Sequence, residues 1–158
     1  PVVALADGLA ASAAYWIGSQ ATELVVSPSG DVGSIGVIGV HQSVAKLYER
    51  MGVETTLVTA GRFKGEGNPF QPLGEDAKAA MQARVDEAYG QFVGDVARGR
   101  KVDAKAVREG FGQGRVVGAR AALAEGMVDR IATLDEVVAG LAAGRGKAWQ
   151  RRSALAFA

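Results

Sequence analysis

The chain has 158 residues, 48% hydrophobic and 22% charged, with a formal charge of +1, a balance that suits one globular domain with its own apolar core. It contains no cysteine, which removes disulfides and thiolate catalysis from consideration. It also carries no apolar run long enough to span a bilayer and no signal-peptide pattern.

The opening apolar run 2–6 reads as a buried strand closed by the turn signal Asp7-Gly8. A central parallel strand needs neighbours on both sides, so a chain that opens on one is expected to lack N-terminal elements of its domain. Residues 10–21, alanine-rich and carrying Tyr15, Trp16 and Ile17, predict a buried helix. A short strand over 24–26 follows, ended by the turn cluster 27–31. The β-branched runs 35–40 and 55–59 predict two further strands, and between them 43–51 reads as a helix with Val44, Leu47, Tyr48 and Met51 on one face.

A loop over 60–74 holds Gly61, Gly65, Gly67, Pro69 and Pro72; loops of that length between regular elements are often functional. Apolar residues at three- and four-residue steps, Ala77, Met81, Val85, Ala88, Tyr89, Phe92 and Val96, predict a long helix over 75–98. Short elements complete the pattern: helices over 103–109, 119–125 and 134–142, and strands over 116–117 and 128–131. Gly110, Gly112 and Gly114 read as flexible backbone between them. Strands alternating with helices predict an α/β fold with a mainly parallel sheet. The expected organisation is one domain over 1–143 and a basic, flexible tail over 144–158. No acid follows Glu136, while Arg145, Lys147, Arg151 and Arg152 do, a cluster that reads as solubilising rather than as a nucleic-acid site.

Elimination narrows the chemistry. His41 is the only histidine and sits at a helix start, where capping or a surface role is expected. No Cys/His/carboxylate cluster has metal-ligand spacing, and Gly33, Gly36 and Gly39 do not make a dinucleotide fingerprint. A hydrolase built from these residues needs another activated nucleophile, and serine with lysine is one solution. The serine must follow a tight turn at a helix N-terminus, where free N–H groups can stabilise an oxyanion. A lysine base must be partly buried, because desolvation lowers an amine's pKa. Ser12 meets the first demand: it follows the strand end at Asp7-Gly8 and is flanked by Ala10, Ala11, Ala13 and Ala14, which let a substrate backbone come close. Lys64 lies in the glycine-rich loop beside Phe63. Taken singly, each also fits a plain reading, Ser12 as a packed helix serine and Lys64 as a solvated loop lysine.

Three stretches together resemble one family. They are Ala10-Ala11-Ser12-Ala13-Ala14-Tyr15-Trp16-Ile17, then Val32-Gly33-Ser34-Ile35-Gly36-Val37, then Gly61-Arg62-Phe63-Lys64 with Gly67-Asn68-Pro69-Phe70. In order and spacing they resemble the signal peptide peptidase A family of serine–lysine peptidases, which includes phage minor capsid protein C-like proteases. The resemblance continues to about residue 140, and Gly67-Asn68-Pro69-Phe70 is similar to the phage branch. It implies a crotonase/ClpP-like α/β spiral with Ser12 as nucleophile, Lys64 as general base and Ser34 orienting the lysine. Ser34 also fits a strand-end turn residue. Family members carry an upstream strand and glycine-rich turn that supply part of the oxyanion hole; Ala13 and Ala14 stand where the family has small glycines.

The resemblance further implies an endopeptidase cutting at small or apolar residues without any cofactor, assembled as a closed homo-oligomer. In the phage setting it acts in the prohead or cytoplasm on capsid or scaffold proteins. In the bacterial setting it is membrane-associated and degrades signal peptides. A non-catalytic capsid component of the same fold is the third reading. The tail, ending Ser153-Ala154-Leu155-Ala156-Phe157-Ala158, is expected to be an ordinary terminus or a self-processing site.

Overall fold

The computed structural model describes residues 1–144. The tail expected over 144–158, with its self-processing reading, lies outside the described residues apart from Gly144. The chain divides into two compact units, one formed by residues 1–36 with the chain from Tyr89 onward, the other by Val37–Ala88.

The first unit holds two small sheets. Strands β1 (Val3–Ala6), β3 (Glu23–Val26) and β6 (Arg130–Ile131) form an all-parallel sheet in the order β1-β3-β6, with Val3 opposite Glu23 and Val25 opposite Arg130. Strands β2 (Leu9–Ala11), β4 (Asp31–Gly33) and β5 (Val116–Gly118) form the second sheet, with β2 parallel and β5 antiparallel to β4. Around them pack α1 (Ala13–Gly18), the C-terminal half of α3 (Glu75–Arg100), α4 (Ala104–Glu109), α5 (Ala119–Ala124) and α6 (Leu134–Ala142). The mixed α/β class and the mainly parallel first sheet match the strand–helix alternation of the sequence.

Period-two alternation on β3 splits the core. Leu24 and Val26 enter the main cluster with Tyr15, Phe92, Val93, Val96 and Met127. Val25 faces the other way, onto Ala132 and Val137 of the β6–α6 segment. Charged pairs lock the strand ends. Buried Glu23 accepts from Arg130 Nε at 2.6 Å, and Asp129 accepts from the Leu24 N–H at 2.8 Å and from Arg100 Nη1 at 2.9 Å. Helix α6 begins at a capping box: the Thr133 hydroxyl accepts from the Glu136 N–H, and the Glu136 carboxylate accepts from the Thr133 N–H. Those hydrogen bonds hold the Glu136 carboxyl below its ordinary pKa.

Two glycines on α3 give a test of packing against propensity. A Cβ on Gly99 would overlap the Ser19 carbonyl oxygen, which is fixed backbone. Gly90, on the same helix, has nothing within 4 Å of its would-be Cβ. Alanine gains about 1 kcal/mol over glycine in a helix, while overpacking costs about 1–3 kcal/mol. Gly90→Ala should therefore raise the urea midpoint and Gly99→Ala should lower it. A rise with both would show that the Ser19 turn gives way.

In the second unit, α2 (Ala45–Arg50) is followed by a long irregular stretch and then the N-terminal half of α3. Tyr48 meets Phe70 at a centroid distance of 5.8 Å, Val44 N–H donates to the Pro69 carbonyl, and His41 Nε2 lies 3.0 Å from the Asn68 carbonyl oxygen.

Three expectations are corrected. Ala10 and Ala11, expected at the start of a helix over 10–21, lie in β2, because their backbone pairs with β4 and tertiary pairing overrides alanine's helix preference. The strands expected over 35–40 and 55–59 do not form. No ladder partner faces them among the described residues, and β-branched composition makes a strand only where a partner takes its N–H and C=O groups. Ile38 and Val58 accordingly stand 89% and 93% exposed. The glycine cluster 110–114 is a tight turn, with Phe111, Gly112, Gln113 and Gly114 all at positive φ. A Cβ on Gly112 would come within 2.5 Å of Val117 Cγ2, so packing demands glycine there.

Candidate active site

Ser12 sits at the junction of β2 and α1 with φ 52° and ψ −122°. A non-glycine residue in that region carries about 1–3 kcal/mol of strain and persists only where its surroundings impose it. They do so here. The Ser12 N–H donates to the Gly33 carbonyl at 2.8 Å, and the Ser12 carbonyl accepts from Trp16 N–H at 2.9 Å, opening α1. The helix behind is pinned at two side chains. Tyr15 is fully buried and its hydroxyl donates to the Met127 carbonyl at 2.8 Å. Burial pushes that hydroxyl's pKa well above the ordinary tyrosine value, so Tyr15 is a neutral anchor. Trp16 stacks on Phe92 at 4.4 Å, and its Nε1 donates to Asp95. The Ser12 side chain is left exposed on a sharp strand–turn–helix corner.

Ser34 repeats the device one strand over. It follows β4 directly, with φ 53°, and its N–H donates to the Arg115 carbonyl at 2.8 Å. The registers Ala11↔Gly33 and Gly33↔Val116 place the next residues, Ser12, Ser34 and Arg115, in one row across the end of the sheet. Gly33 permits this closeness. Its φ is 110°, and a Cβ there would lie 2.9 Å from the Arg115 oxygen and 3.1 Å from Met127 Cε. Neither serine hydroxyl has a hydrogen-bond partner among the described residues of its own unit.

Lys64 belongs to the second unit. It lies in the turn 61–67, where its N–H donates to the Gly61 carbonyl at 3.2 Å and Gly61 and Gly67 take positive φ. The Asn68 side chain closes the turn, donating to the Gly65 carbonyl at 2.6 Å and accepting from the Phe70 N–H at 2.9 Å. Lys64 is solvent-exposed, whereas a partly buried base was expected. Glycine-rich turns expose their side chains because few neighbours pack on them. The structure thus brings Ser12 and Ser34 into one row and presents Lys64 on a separate, ordered turn. Nothing in the sequence signalled the positive φ at either serine, or the place of Arg115 in their row. Only the glycine at position 33, immediately before Ser34, hinted at a close backbone approach.

Comparison with known proteins bears on what this corner does. Residues 1–147 match the profile of peptidase family S49. Protease 4 of Salmonella typhi is 32% identical over 88% of the chain and 22% of its own length. Capsid assembly protease C of Escherichia phage lambda is 36% identical over 58% of the chain and 21% of its own length. Head-tail preconnector protein GP5 of Enterobacteria phage P21 is 38% identical over 66% of the chain and 21% of its own length. The chain spans less than half the length of the curated relatives it matches.

Proposed function

The chain belongs to peptidase family S49, and from that premise we propose that it is the catalytic core of a serine endopeptidase with Ser12 as nucleophile, Lys64 as general base and Ser34 orienting the lysine. The observation that carries this reading is the Ser12 corner: a strained, exposed serine held by backbone hydrogen bonds between a strand and a helix. Strain at an exposed nucleophile is a cost that packing alone does not require.

In the reaction, the neutral Lys64 amine takes the Ser12 proton as Ser12 Oγ attacks the scissile carbonyl. Collapse of the tetrahedral intermediate breaks the C–N bond, the leaving amine takes the proton, and an acyl-serine remains. Lys64 then deprotonates a water that releases the acid. The Ser12 N–H is already committed to Gly33, so the oxyanion donor supplied by this corner is the Ala13 N–H, which has no intrahelical acceptor. Because Lys64 is exposed in this chain, the desolvation that makes an amine a base must come with whatever covers the turn in the working enzyme.

A crotonase/ClpP-like spiral is supported by the parallel sheet beside a second small sheet. A phage role in capsid or scaffold processing is supported by the names of the lambda and P21 relatives. A membrane-associated signal peptide peptidase is the alternative reading; no helix among the described residues is long and apolar enough to cross a membrane. A closed homo-oligomer fits the exposed Ile38, Val40, Val58 and Phe63 of the second unit.

The test is covalent labelling of the full-length protein with a fluorophosphonate probe, followed by peptide mapping. The adduct should map to Ser12 and vanish in Ser12→Ala. An unlabelled wild-type protein would favour the non-catalytic capsid reading, and an adduct on another serine would overturn Ser12 as the nucleophile.

A further inference from the structure

Arg115 stands third in the row that begins with Ser12 and Ser34. Its carbonyl accepts the Ser34 N–H, and its place is fixed from both sides: Gly33, lacking a Cβ, lets that carbonyl approach, and the turn 110–114 delivers the chain into β5. Among the described residues Arg115 makes no ion pair or side-chain hydrogen bond, as holds for the exposed Arg108 and Arg120 of the same unit, while Arg98, Arg100 and Arg130 pair with Asp95, Asp129 and Glu23; what sets Arg115 apart is its place in the row of the serines. An arginine with a fixed backbone and no side-chain partner among the described residues, two strands from an exposed nucleophile, has five donors to offer an incoming molecule.

Strand spacing sets its reach. Neighbouring strands lie about 4.8 Å apart, so the Arg115 Cα is about 10 Å from that of Ser12. An extended peptide advances about 3.3 Å per residue, so the side chain comes level with substrate residues about two or three from the scissile bond. On its far side from the serines, neither of which lines it, Arg115 borders an open cleft of about 570 Å³ whose wall includes Gly110, Gly112 and Gly118, with little side-chain bulk to keep a main chain away. Glu109 and Glu125 line the same cleft. Their charge disfavours an acidic substrate side chain there and leaves a neutral acceptor, the main-chain carbonyl, as the group the arginine binds.

We propose that Arg115 is a substrate-positioning residue, its guanidinium donating to a main-chain carbonyl of the bound peptide two or three residues from the bond that Ser12 attacks. This rests on the peptidase reading. The contact is to backbone, so it tightens binding of any extended peptide without selecting its sequence.

The experiment uses full-length protein and an eight-residue apolar peptide. In the Ser12→Ala background, which cannot turn over, Arg115→Met should weaken peptide binding about tenfold, the loss expected for one charge-assisted hydrogen bond, and Arg115→Lys should restore part of it. In active enzyme the same change should appear in KM more than in kcat, with the melting temperature unmoved. Unchanged binding in Arg115→Met, or a loss that tracks a lowered melting temperature, would overturn the proposal. If wild-type enzyme cleaves nothing but binding still weakens in Arg115→Met, the positioning role stands and the peptidase reading falls.

Discussion

Replacing Ser12 should separate activity from stability in opposite directions. Ser12→Ala removes the nucleophile and should lower kcat by about three orders of magnitude or more, as loss of the nucleophile does in other serine peptidases. Alanine still has a Cβ, so the strain at φ 52° stays and the folding free energy should be nearly unchanged. Ser12→Gly is equally inactive but relieves the strain. Relief is worth about 1–3 kcal/mol, offset by about 0.5–1 kcal/mol for glycine's extra freedom in the unfolded chain. The glycine variant should be the more stable of the two by about 1 kcal/mol, read as a higher urea midpoint at equal slope. A glycine variant no more stable than the alanine variant would show that the corner is unstrained. The functional reading would then lose its main support.

Lys64→Arg is the second large effect. Arginine keeps its proton throughout the working pH range and cannot accept the one on Ser12. It keeps the positive charge, and position 64 is an exposed turn site, so folding should change by no more than about 0.5 kcal/mol. Peptide hydrolysis should fall by about three orders of magnitude while circular dichroism and the melting temperature stay those of the wild type. Retention of most activity would exclude Lys64 as the base. The Gly61 carbonyl, which accepts the Lys64 N–H, is untouched by the exchange, so loss of the turn is not a competing explanation.

Neither expectation depends on the strands that failed to form. The runs 35–40 and 55–59 have strand composition, but strand structure is a property of pairs, and composition cannot report whether a partner exists. The converse error occurred at Ala10 and Ala11, the start of the expected helix 10–21, which were recruited into a sheet by Val32 and Gly33. In both cases a non-local backbone partner decided the outcome. By contrast α6, whose Thr133 and Glu136 cap each other locally, kept its expected span 134–142.

What the sequence determined by itself was therefore local or patterned. The strand–helix alternation set the α/β class, the apolar steps of 75–98 set the long helix, and the three stretches around Ser12, Ser34 and Lys64 resembled one family, the family that residues 1–147 match. Tertiary structure alone decided the rest. It set the positive φ of Ser12 and Ser34, because each is imposed by a hydrogen bond to the neighbouring strand. It paired buried Glu23 with Arg130 across strands far apart in the chain. It also brought Arg115 beside the serines, although more than eighty residues separate it from Ser34 along the sequence, because antiparallel register and not chain distance determines which side chains share the end of a sheet.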